Sequence, residues 1–342
     1  MLSQLVFSVT RNCPISCTYC VTRSGPFDRP SLDSHFMCGV IKELTDIEEV
    51  KLIVFTGGEP LLLKDQIVKT LQYASSRDIW TRIVTNAFWA TTPSVARETL
   101  KELTDVGLSE INFSCDDFHQ EHIPIDNIRN AVEAALSAGL SLLIAHKEVR
   151  NGKISESNLS QLLGKPMCRF DPSRKKQPPY LYDTGLTIPV GHGSEHLPED
   201  QYIIFPPEDE HWKTPCTGVL SSTIIGPERD LRLCCGMIEQ DVPEISFGSL
   251  NDHSLKELIC LANHDLIANW LALEGPYGIL RFIQDRQPEI TLPDRFVGRC
   301  HLCNHLLTRP DVRDILRNCN RHKVEELTLR RGLLEAARSL EK

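Results

Sequence analysis

The chain carries Arg11-Asn12-Cys13-Pro14-Ile15-Ser16-Cys17-Thr18-Tyr19-Cys20 directly after its first apolar run, Leu5 to Val9. Its three cysteines have the spacing C-x3-C-x2-C. Thiolates select iron-sulfur clusters, zinc or copper(I), and short spacing lets one loop surround one cluster. Zinc normally takes four protein ligands, or three and a water. Three thiolates this close together therefore favour an iron-sulfur cluster with one iron open to another ligand.

Apolar runs of strand length recur through the front half of the chain, separated by helical patterns. These runs are Leu5 to Val9, Leu52 to Phe55, Thr81 to Val84, Ile111 to Phe113 and Leu140 to Ala145. After the first crossover they repeat at about the 30-residue length of a βαβ unit. The alternation predicts an α/β fold with a parallel sheet covered by helices.

Local signals mark the ends of two of these helices. Thr92-Pro93 is typical of an N-cap and first helical position, and Gly107 of a helix end. Asp126 is predicted to cap a second helix, which Gly139 ends. A sixth strand is predicted over Leu186 to Val190.

Polar motifs follow the predicted strands at their C-terminal ends, where α/β barrels gather their chemistry. Thr56-Gly57-Gly58-Glu59-Pro60 follows the second strand, Asn86 the third, and Ser114 and Asp116 the fourth. The glycines would let the backbone approach a ligand closely, and the Glu59 carboxylate can pair with an ammonium. This placement favours a curved partial barrel over an open, doubly wound sheet.

The cysteine loop with its aromatic Tyr19, followed by Gly57-Gly58-Glu59-Pro60, resembles the radical S-adenosylmethionine (SAM) enzymes. The resemblance implies a partial (β/α)6 TIM-type barrel with a [4Fe-4S] cluster on Cys13, Cys17 and Cys20. In such enzymes the fourth iron binds SAM, and reduction of the cluster yields a 5'-deoxyadenosyl radical.

The same resemblance implies which residues contact SAM. Gly57 to Pro60 would hold the methionyl amino group, and Asn86, Ser114 and Asp116 the ribose and carboxylate. Lys147 or Arg150 would face the carboxylate. Gly191-His192-Gly193 resembles the turn that closes the barrel in peptide-modifying members, where an arginine is common at the histidine position.

A second group of cysteines lies in the back half. Cys216 and Cys234 flank two β-rich runs joined through Gly226-Pro227, which predicts a hairpin, and Cys300 and Cys303 add a C-x2-C. From spacing alone, zinc and an iron-sulfur cluster are rival occupants. The order of these features resembles the auxiliary-cluster domain called twitch, the shortened form of SPASM. It implies a second, closed [4Fe-4S] cluster on all four thiolates.

Cys235 is spare in this four-ligand set. Successive side chains of a strand point to opposite faces, so Cys234 and Cys235 cannot easily bind one cluster, and either can be the ligand. The spare thiol is either a buried neutral side chain or a hydrogen-atom donor. Radical SAM peptide epimerases resemble this arrangement, with a donor cysteine beside a cluster ligand. Cys115 is the rival donor.

The resemblance implies an enzyme that modifies a ribosomally made peptide, with L-to-D epimerisation as the leading hypothesis. Oxidative crosslinking of a peptide through a carbon-carbon or thioether bond, or dehydrogenation of a small molecule, is the alternative. A non-catalytic iron-sulfur or zinc sensor is an alternative of another class. The expected partners are the peptide and a one-electron reductant of the flavodoxin or ferredoxin type.

Composition limits the remaining possibilities. The 342 residues include 37 basic and 46 acidic side chains, giving a net charge of -9 without a basic stripe, so nucleic acid is not expected as a substrate. Thirteen cysteines in a chain without a secretory signal indicate metal binding rather than disulfides. We expect a cytoplasmic protein, no membrane segment, and three regions: the barrel over 1–195, the auxiliary domain over 196–320 and a C-terminal helix over 321–342.

Overall fold

A computed structural model describes residues 2–27, 29–44, 50–234, 242–318 and 321–340. Contacts divide the described chain into two units. The first contains Leu2–Ile203 with Ile224–Arg229, and the second Ile204–Thr223 with Asp230–Lys342.

The first unit extends to Ile203 rather than to the predicted boundary at residue 195, and the described chain has no boundary between units at residue 320. The segment up to Ile203 stays with the first unit because it is bonded to it. Tyr202 Oη donates to the Gly193 carbonyl at 2.6 Å, and the Arg150 amide donates to the Gln201 carbonyl at 2.8 Å. The C-terminal helix belongs to the second unit.

The first unit is built on a parallel sheet with the strand order β1-β2-β3-β4-β5-β7-β6. The strands are β1 (Gln4–Ser8), β2 (Leu52–Thr56), β3 (Trp80–Thr85), β4 (Glu110–Ser114), β5 (Ser141–Glu148), β6 (Cys168–Arg169) and β7 (Leu181–Leu186). This arrangement confirms the predicted α/β class and is consistent with a partial TIM barrel.

A helix follows each strand of the first unit except β6, and two follow β4. These helices are α1 (Ser34–Leu44), α2 (Lys64–Ser75), α3 (Pro93–Asp105), α4 (Asp117–Gln120), α5 (Ile125–Ser137), α6 (Glu156–Leu163) and α7 (His192–His196). The predicted N-cap of α3 is confirmed, since Thr92 Oγ1 accepts from the Val95 amide at 3.3 Å. The predicted cap at Asp126 is wrong, because Pro124 takes the N-cap position and Asp126 lies in the first turn of α5.

The prediction for the sixth strand is also wrong in position. The strand beside β5 is β7, which ends at Leu186, where the predicted strand would begin. The next residues turn instead, because the Val190 amide donates to the Ile188 carbonyl at 2.9 Å and the Gly193 amide to Val190 at 3.1 Å. β7 escapes a periodicity search because its alternate positions hold Asp183 and Gly185.

One face of the sheet passes from apolar to polar across the strands. Val6 and Val54 pack with Ile224 in a buried cluster. In the same row, Arg82 of β3 pairs with Glu110 of β4 at 2.8 Å. The opposite face, which α-helices cover in such a fold, is mainly apolar, although it also holds the buried polar residues Thr81, Thr85 and His146.

The second unit is mainly helical. Its strands are β9 (Asp230–Arg232) and β10 (Ser246–Ser249), which are antiparallel. The strand β8 (Ser222–Ile225) is divided between the two units after Thr223. Its helices are α8 (Leu255–His264), α9 (Leu266–Arg286), α10 (Arg299–Leu307), α11 (Pro310–Arg317) and α12 (Arg321–Leu340). The predicted turn after β8 belongs to the first unit and forms there, since the Arg229 amide donates to the Gly226 carbonyl at 2.9 Å. No helix in the described ranges is long and apolar enough to cross a membrane.

Candidate functional site

The cysteine loop brings Cys13, Cys17 and Cys20 together at the end of β1. Cys13 and Cys17 are each 6% exposed and pack with apolar side chains, while Cys20 is half-buried. The loop is closed by a hydrogen bond from the Cys13 amide to the Gly25 carbonyl at 2.8 Å. The three sulfurs lie near enough to one another that a charge on one raises the pKa of another.

Hydrogen-bond donors point at two of these sulfurs. Asn86 Nδ2 donates to Cys13 Sγ at 3.6 Å, and the Ser24 amide donates to Cys20 Sγ at 3.3 Å. Burial raises the pKa of Cys13 to about 12 and raises that of Cys17 as well. Such thiols ionise on binding a metal, which supplies the compensating charge. Buried thiols with donors aimed at sulfur fit an iron-sulfur cluster.

Gly57 and Gly58 pack against the cysteine loop. A Cβ on Gly57 would lie 2.4 Å from the Thr10 carbonyl oxygen, and one on Gly58 would lie 2.2 Å from that of Asn12. Gly57 also has a φ of +130°. The structure shows these glycines approaching the backbone that leads into Cys13, and their approach to a ligand stays a prediction.

Glu59 is completely buried behind the cysteine loop. Its Oε1 accepts from the Leu61 amide at 3.0 Å and from Thr85 Oγ1 at 2.8 Å. Its Oε2 accepts from the Asn86 amide at 2.9 Å. Burial raises the pKa of this carboxyl group to about 7, against the opposing effect of the hydrogen bonds. Pro60 begins the short helical turn that Glu59 caps.

Asn86 therefore connects the two motifs. Its backbone amide binds the Glu59 carboxylate, while its side-chain amide points at the sulfur of Cys13. The side chain of Asn86 is 4% exposed. The structure thus brings the cysteine loop, the Gly-Gly-Glu-Pro turn and the end of β3 into one contiguous site.

Asp116, a predicted SAM contact, pairs with His119, which sequence reasoning missed. Asp116 is completely buried and caps α4, and its Oδ1 lies 2.9 Å from His119 Nδ1. Its Oδ2 has no hydrogen-bond partner within the described chain. The His119 ring lies edge-on to Tyr19, 5.7 Å between centroids, and its charge acts on Glu59. The sequence signal that could have revealed this pair is a histidine three residues after an Asp that can cap a helix.

The remaining predicted SAM contacts lie on the polar face of the sheet. Ser114 ends β4, aligned with Ala145, and Lys147 is two residues farther along β5. A Cβ on Gly185 would lie 2.5 Å from Lys147 Nζ, so the ammonium lies directly over that glycine. The alternative, Arg150, instead donates to the Tyr202 carbonyl at 3.3 Å.

The structure describes only one of the two candidate hydrogen donors, Cys115. Cys235 lies outside the described residues. Cys115 has no exposed surface, and burial raises its pKa to about 12. It follows Ser114 in an extended segment, so its side chain points to the opposite, helix-covered face.

Three of the four predicted auxiliary ligands come together in the second unit. Cys300 and Cys303 lie one turn apart on α10. Burial raises the pKa of Cys303, and nearby Cys300 and Cys216 raise it further. Cys234 ends the described part of its segment, directly before residues 235–241, and its membership of this group stays a prediction.

Backbone contacts hold Cys216 beside α10. Arg299 Nη1 donates to the Pro215 carbonyl at 3.1 Å and to Thr214 Oγ1 at 3.2 Å. Gly275 in α9 has a φ of +69°, and a Cβ there would lie 2.2 Å from the Thr214 carbonyl oxygen. Arg299 and Gly275 are therefore positioning residues that the sequence did not reveal, since each acts through backbone far away in the chain.

Comparison with known proteins supports the resemblance of the front half of the chain to radical SAM enzymes. Residues 7–145 match the radical SAM superfamily. The putative peptide biosynthesis protein YydG of Bacillus subtilis (strain 168) is 18% identical over 301 residues, 86% of this chain and 88% of YydG. The PqqA peptide cyclase of Bradyrhizobium diazoefficiens is 32% identical over 115 residues, which is 32% of this chain and 27% of the cyclase.

One solved structure shares the fold over nearly the full length. Native anSMEcpe with bound AdoMet has a TM-score of 0.54 at 14% identity, covering 99% of this chain and 100% of that chain. At this identity the likeness supports the fold alone. The family match confirms the resemblance of the front half to the radical SAM enzymes. Residues 7–145 form a domain of the radical SAM superfamily.

Proposed function

We propose that this protein is a radical SAM enzyme that modifies a peptide, most specifically by L-to-D epimerisation. The peptide substrate is supported by the similarity to YydG, because that similarity covers 86% of this chain rather than the radical SAM domain alone. In this proposal Cys13, Cys17 and Cys20 hold a [4Fe-4S] cluster. When bound, the cluster and SAM supply a carbon-centred radical that removes a hydrogen atom from the substrate.

The protein's own residues would orient SAM. Glu59 would bind the methionyl ammonium, and Tyr19, Asn86, Ser114 and Asp116 would line the rest of the cofactor. Lys147 would face the carboxylate, a role favoured over Arg150 because Arg150 already donates to the Tyr202 carbonyl. What supports this set is that Asn86 touches both the predicted cluster ligand Cys13 and the predicted ammonium partner Glu59.

Epimerisation requires a hydrogen atom delivered to the opposite face of the peptide radical. In the proposal the Cys235 S–H bond breaks and a new Cα–H bond forms, leaving a thiyl radical. One electron from an external flavodoxin- or ferredoxin-type reductant and one proton from solvent then restore the thiol. Cys115 is the weaker donor candidate, because it is fully buried on the helix-covered face.

A second cluster on Cys216, Cys234, Cys300 and Cys303 belongs to the proposal. Its support is the proximity of Cys216, Cys300 and Cys303 and the bonds by which Arg299 holds the segment around Cys216. With four thiolate ligands such a cluster would have no open iron. Its role would be structural or in electron transfer.

The test is product analysis with a peptide encoded beside this gene, incubated with reconstituted enzyme, SAM and reductant in D2O. Epimerisation gives a D-residue carrying about one deuterium and leaves the mass otherwise unchanged, since the exchanged thiol returns deuterium. A product lighter by about two mass units, without a D-residue, contradicts epimerisation.

That second outcome would support oxidative crosslinking, the other candidate function. The observation that favours it is the 32% identity to the PqqA peptide cyclase over 115 residues. Crosslinking removes two hydrogens from the peptide, so an electron acceptor is needed, and the second cluster would serve. The product mass therefore separates the two candidates directly.

SAM affinity is expected to fall with pH below about 7, by roughly tenfold per unit, because a protonated Glu59 cannot pair with an ammonium. Burial raises the pKa of Glu59, whereas its hydrogen bonds and His119 oppose that rise, and a charge on Glu59 in turn raises the pKa of Cys13. Binding of SAM should accordingly release a proton near pH 6 to 7. Equilibrium dialysis of the cluster-loaded protein with labelled SAM measures the profile.

Glu59→Gln is the matching variant, since it keeps the side-chain volume and removes the charge. It should bind SAM at least ~10-fold more weakly at pH 8, with a flat profile across this range. Glu98→Gln, on the exposed side of α3, is the control and should keep the wild-type profile. A Glu59→Gln protein with wild-type SAM affinity at pH 8 would refute the assigned contact.

A further inference from the structure

Three metal-ligating side chains lie together on α7, outside the site described above. His192, Glu195 and His196 each present one ligand atom, and these atoms lie within 4.8 Å of one another. Their spacing of three and four residues places them on one face of the helix. The rings of His192 and His196 are 5.3 Å apart between centroids.

We propose that His192, Glu195 and His196 form a binding site for a divalent transition metal, which Zn²⁺ can fill. Two imidazole nitrogens and a carboxylate oxygen are ligands that zinc accepts in sites with three protein ligands. The fourth position would take water or a donor from a bound substrate. This site is separate from the predicted clusters, whose ligands are thiolates.

The side chains need only small movements to reach coordination geometry. Zinc bonds of about 2.0–2.1 Å in a tetrahedron place the ligand atoms roughly 3.3 Å apart. Glu195 Oε2 and His196 Nε2 are 3.8 Å apart, and these side chains are 43% and 54% exposed. Because neither is packed into the core, rotamer adjustment can close the remaining distance.

Arg23 leaves one oxygen of Glu195 available for the metal. Its Nε donates to Glu195 Oε1 at 2.8 Å, while Oε2 faces His196. Partners of this kind orient metal-binding carboxylates, and they are commonly important to affinity. The guanidinium also adds positive charge near the metal, which lowers the affinity relative to a site without it.

The backbone of α7 is fixed although the helix has only five residues. The His192 amide donates to the Cys20 carbonyl at 2.9 Å. Gly191 has a φ of +56°, and a Cβ there would lie 2.5 Å from the same oxygen. Tyr202 Oη holds the Gly193 carbonyl at 2.6 Å. A metal on α7 would therefore sit on a segment bonded to a predicted cluster ligand.

The experiment uses iron-loaded, anaerobic protein, so that the cysteines of the clusters are occupied. The protein is dialysed against chelator-buffered Zn²⁺, and zinc and iron per chain are measured by mass spectrometry. We expect about one zinc per chain. His192→Ala/His196→Ala should weaken zinc binding more than ~100-fold, because loss of an outer partner alone costs ~10–100-fold. Glu195→Gln, which preserves volume, should weaken it ~10-fold or more.

The control is His253→Ala/His322→Ala, which removes two exposed histidines of the second unit. It should leave zinc binding unchanged, and all variants should keep wild-type iron content. Zinc retained at wild-type affinity by the α7 variants overturns the proposal. So does zinc that appears only as iron is lost, since it would then occupy the cysteines. Because zinc binding is measured without turnover, failure here is distinct from failure of the proposed radical SAM chemistry.

Discussion

Replacing Cys17 by alanine is expected to abolish SAM cleavage, with a loss of at least ~10³-fold, as removal of one member of a catalytic unit does. Cys17 is 6% exposed and lies in a buried cluster with Ile15, Phe118 and Ile123. The proposed cluster has only three protein ligands, and apolar neighbours cannot replace the lost one. Iron content should fall to about half if a second cluster is present. Formation of 5'-deoxyadenosine, measured by chromatography under reducing conditions, gives the rate.

Cys168→Ala is the matched control for this prediction. Cys168 lies in β6 of the same unit, is half-buried, and its thiol donates to the Pro166 carbonyl at 3.7 Å. We expect the control to keep wild-type iron and SAM cleavage. Wild-type cleavage by Cys17→Ala, with the control also active, would mean that Cys17 is not a cluster ligand.

Most of the first unit could be predicted from periodicity, because buried parallel strands are continuously apolar. The first five strands lie within a few residues of their apolar runs. β7 was misplaced because its Asp183 and Gly185 face the polar side of the sheet, where function rather than burial sets composition. Positions of this kind carry no periodic signal.

The helix ends show the limit of local signals. Thr92 followed by Pro93 begins α3 as predicted, because the cap and the fixed φ of proline act within the same few residues. Asp126 has the right chemistry for a cap, but Pro124 two residues earlier cannot continue a preceding hydrogen-bonded turn and becomes the boundary. The helix therefore starts after Pro124 and not at Asp126.

The candidate site was predictable in its residue types but not in its contacts. Spacing alone indicates a cluster on Cys13, Cys17 and Cys20. It cannot indicate that Gly58 is needed for the approach to Asn12, since that contact joins two distant segments. His119 was missed because its contact with Tyr19 joins two distant segments, although its other partner, Asp116, is only three residues away in the sequence.

Replacing Cys235 by alanine is expected to reduce formation of the D-residue by at least ~10²-fold while SAM cleavage continues. The reason is that abstraction and return of hydrogen use different groups, so loss of the donor leaves the first step intact. In D2O the wild-type product should carry about one deuterium at the modified Cα, and the variant product should carry none. Chiral amino-acid analysis after hydrolysis measures the D-residue directly.

Two further variants decide whether the hydrogen comes from Cys235 or from another thiol. Cys260 is exposed on α8, so Cys260→Ala should leave deuterium transfer unchanged. Cys115→Ala removes the rival donor, and since that thiol is fully buried, its loss should lower stability rather than transfer. Deuterium transfer that persists in Cys235→Ala and disappears in folded Cys115→Ala would move the donor role to Cys115. Deuterium transfer that persists in both variants would mean that neither cysteine supplies the hydrogen that returns to the peptide.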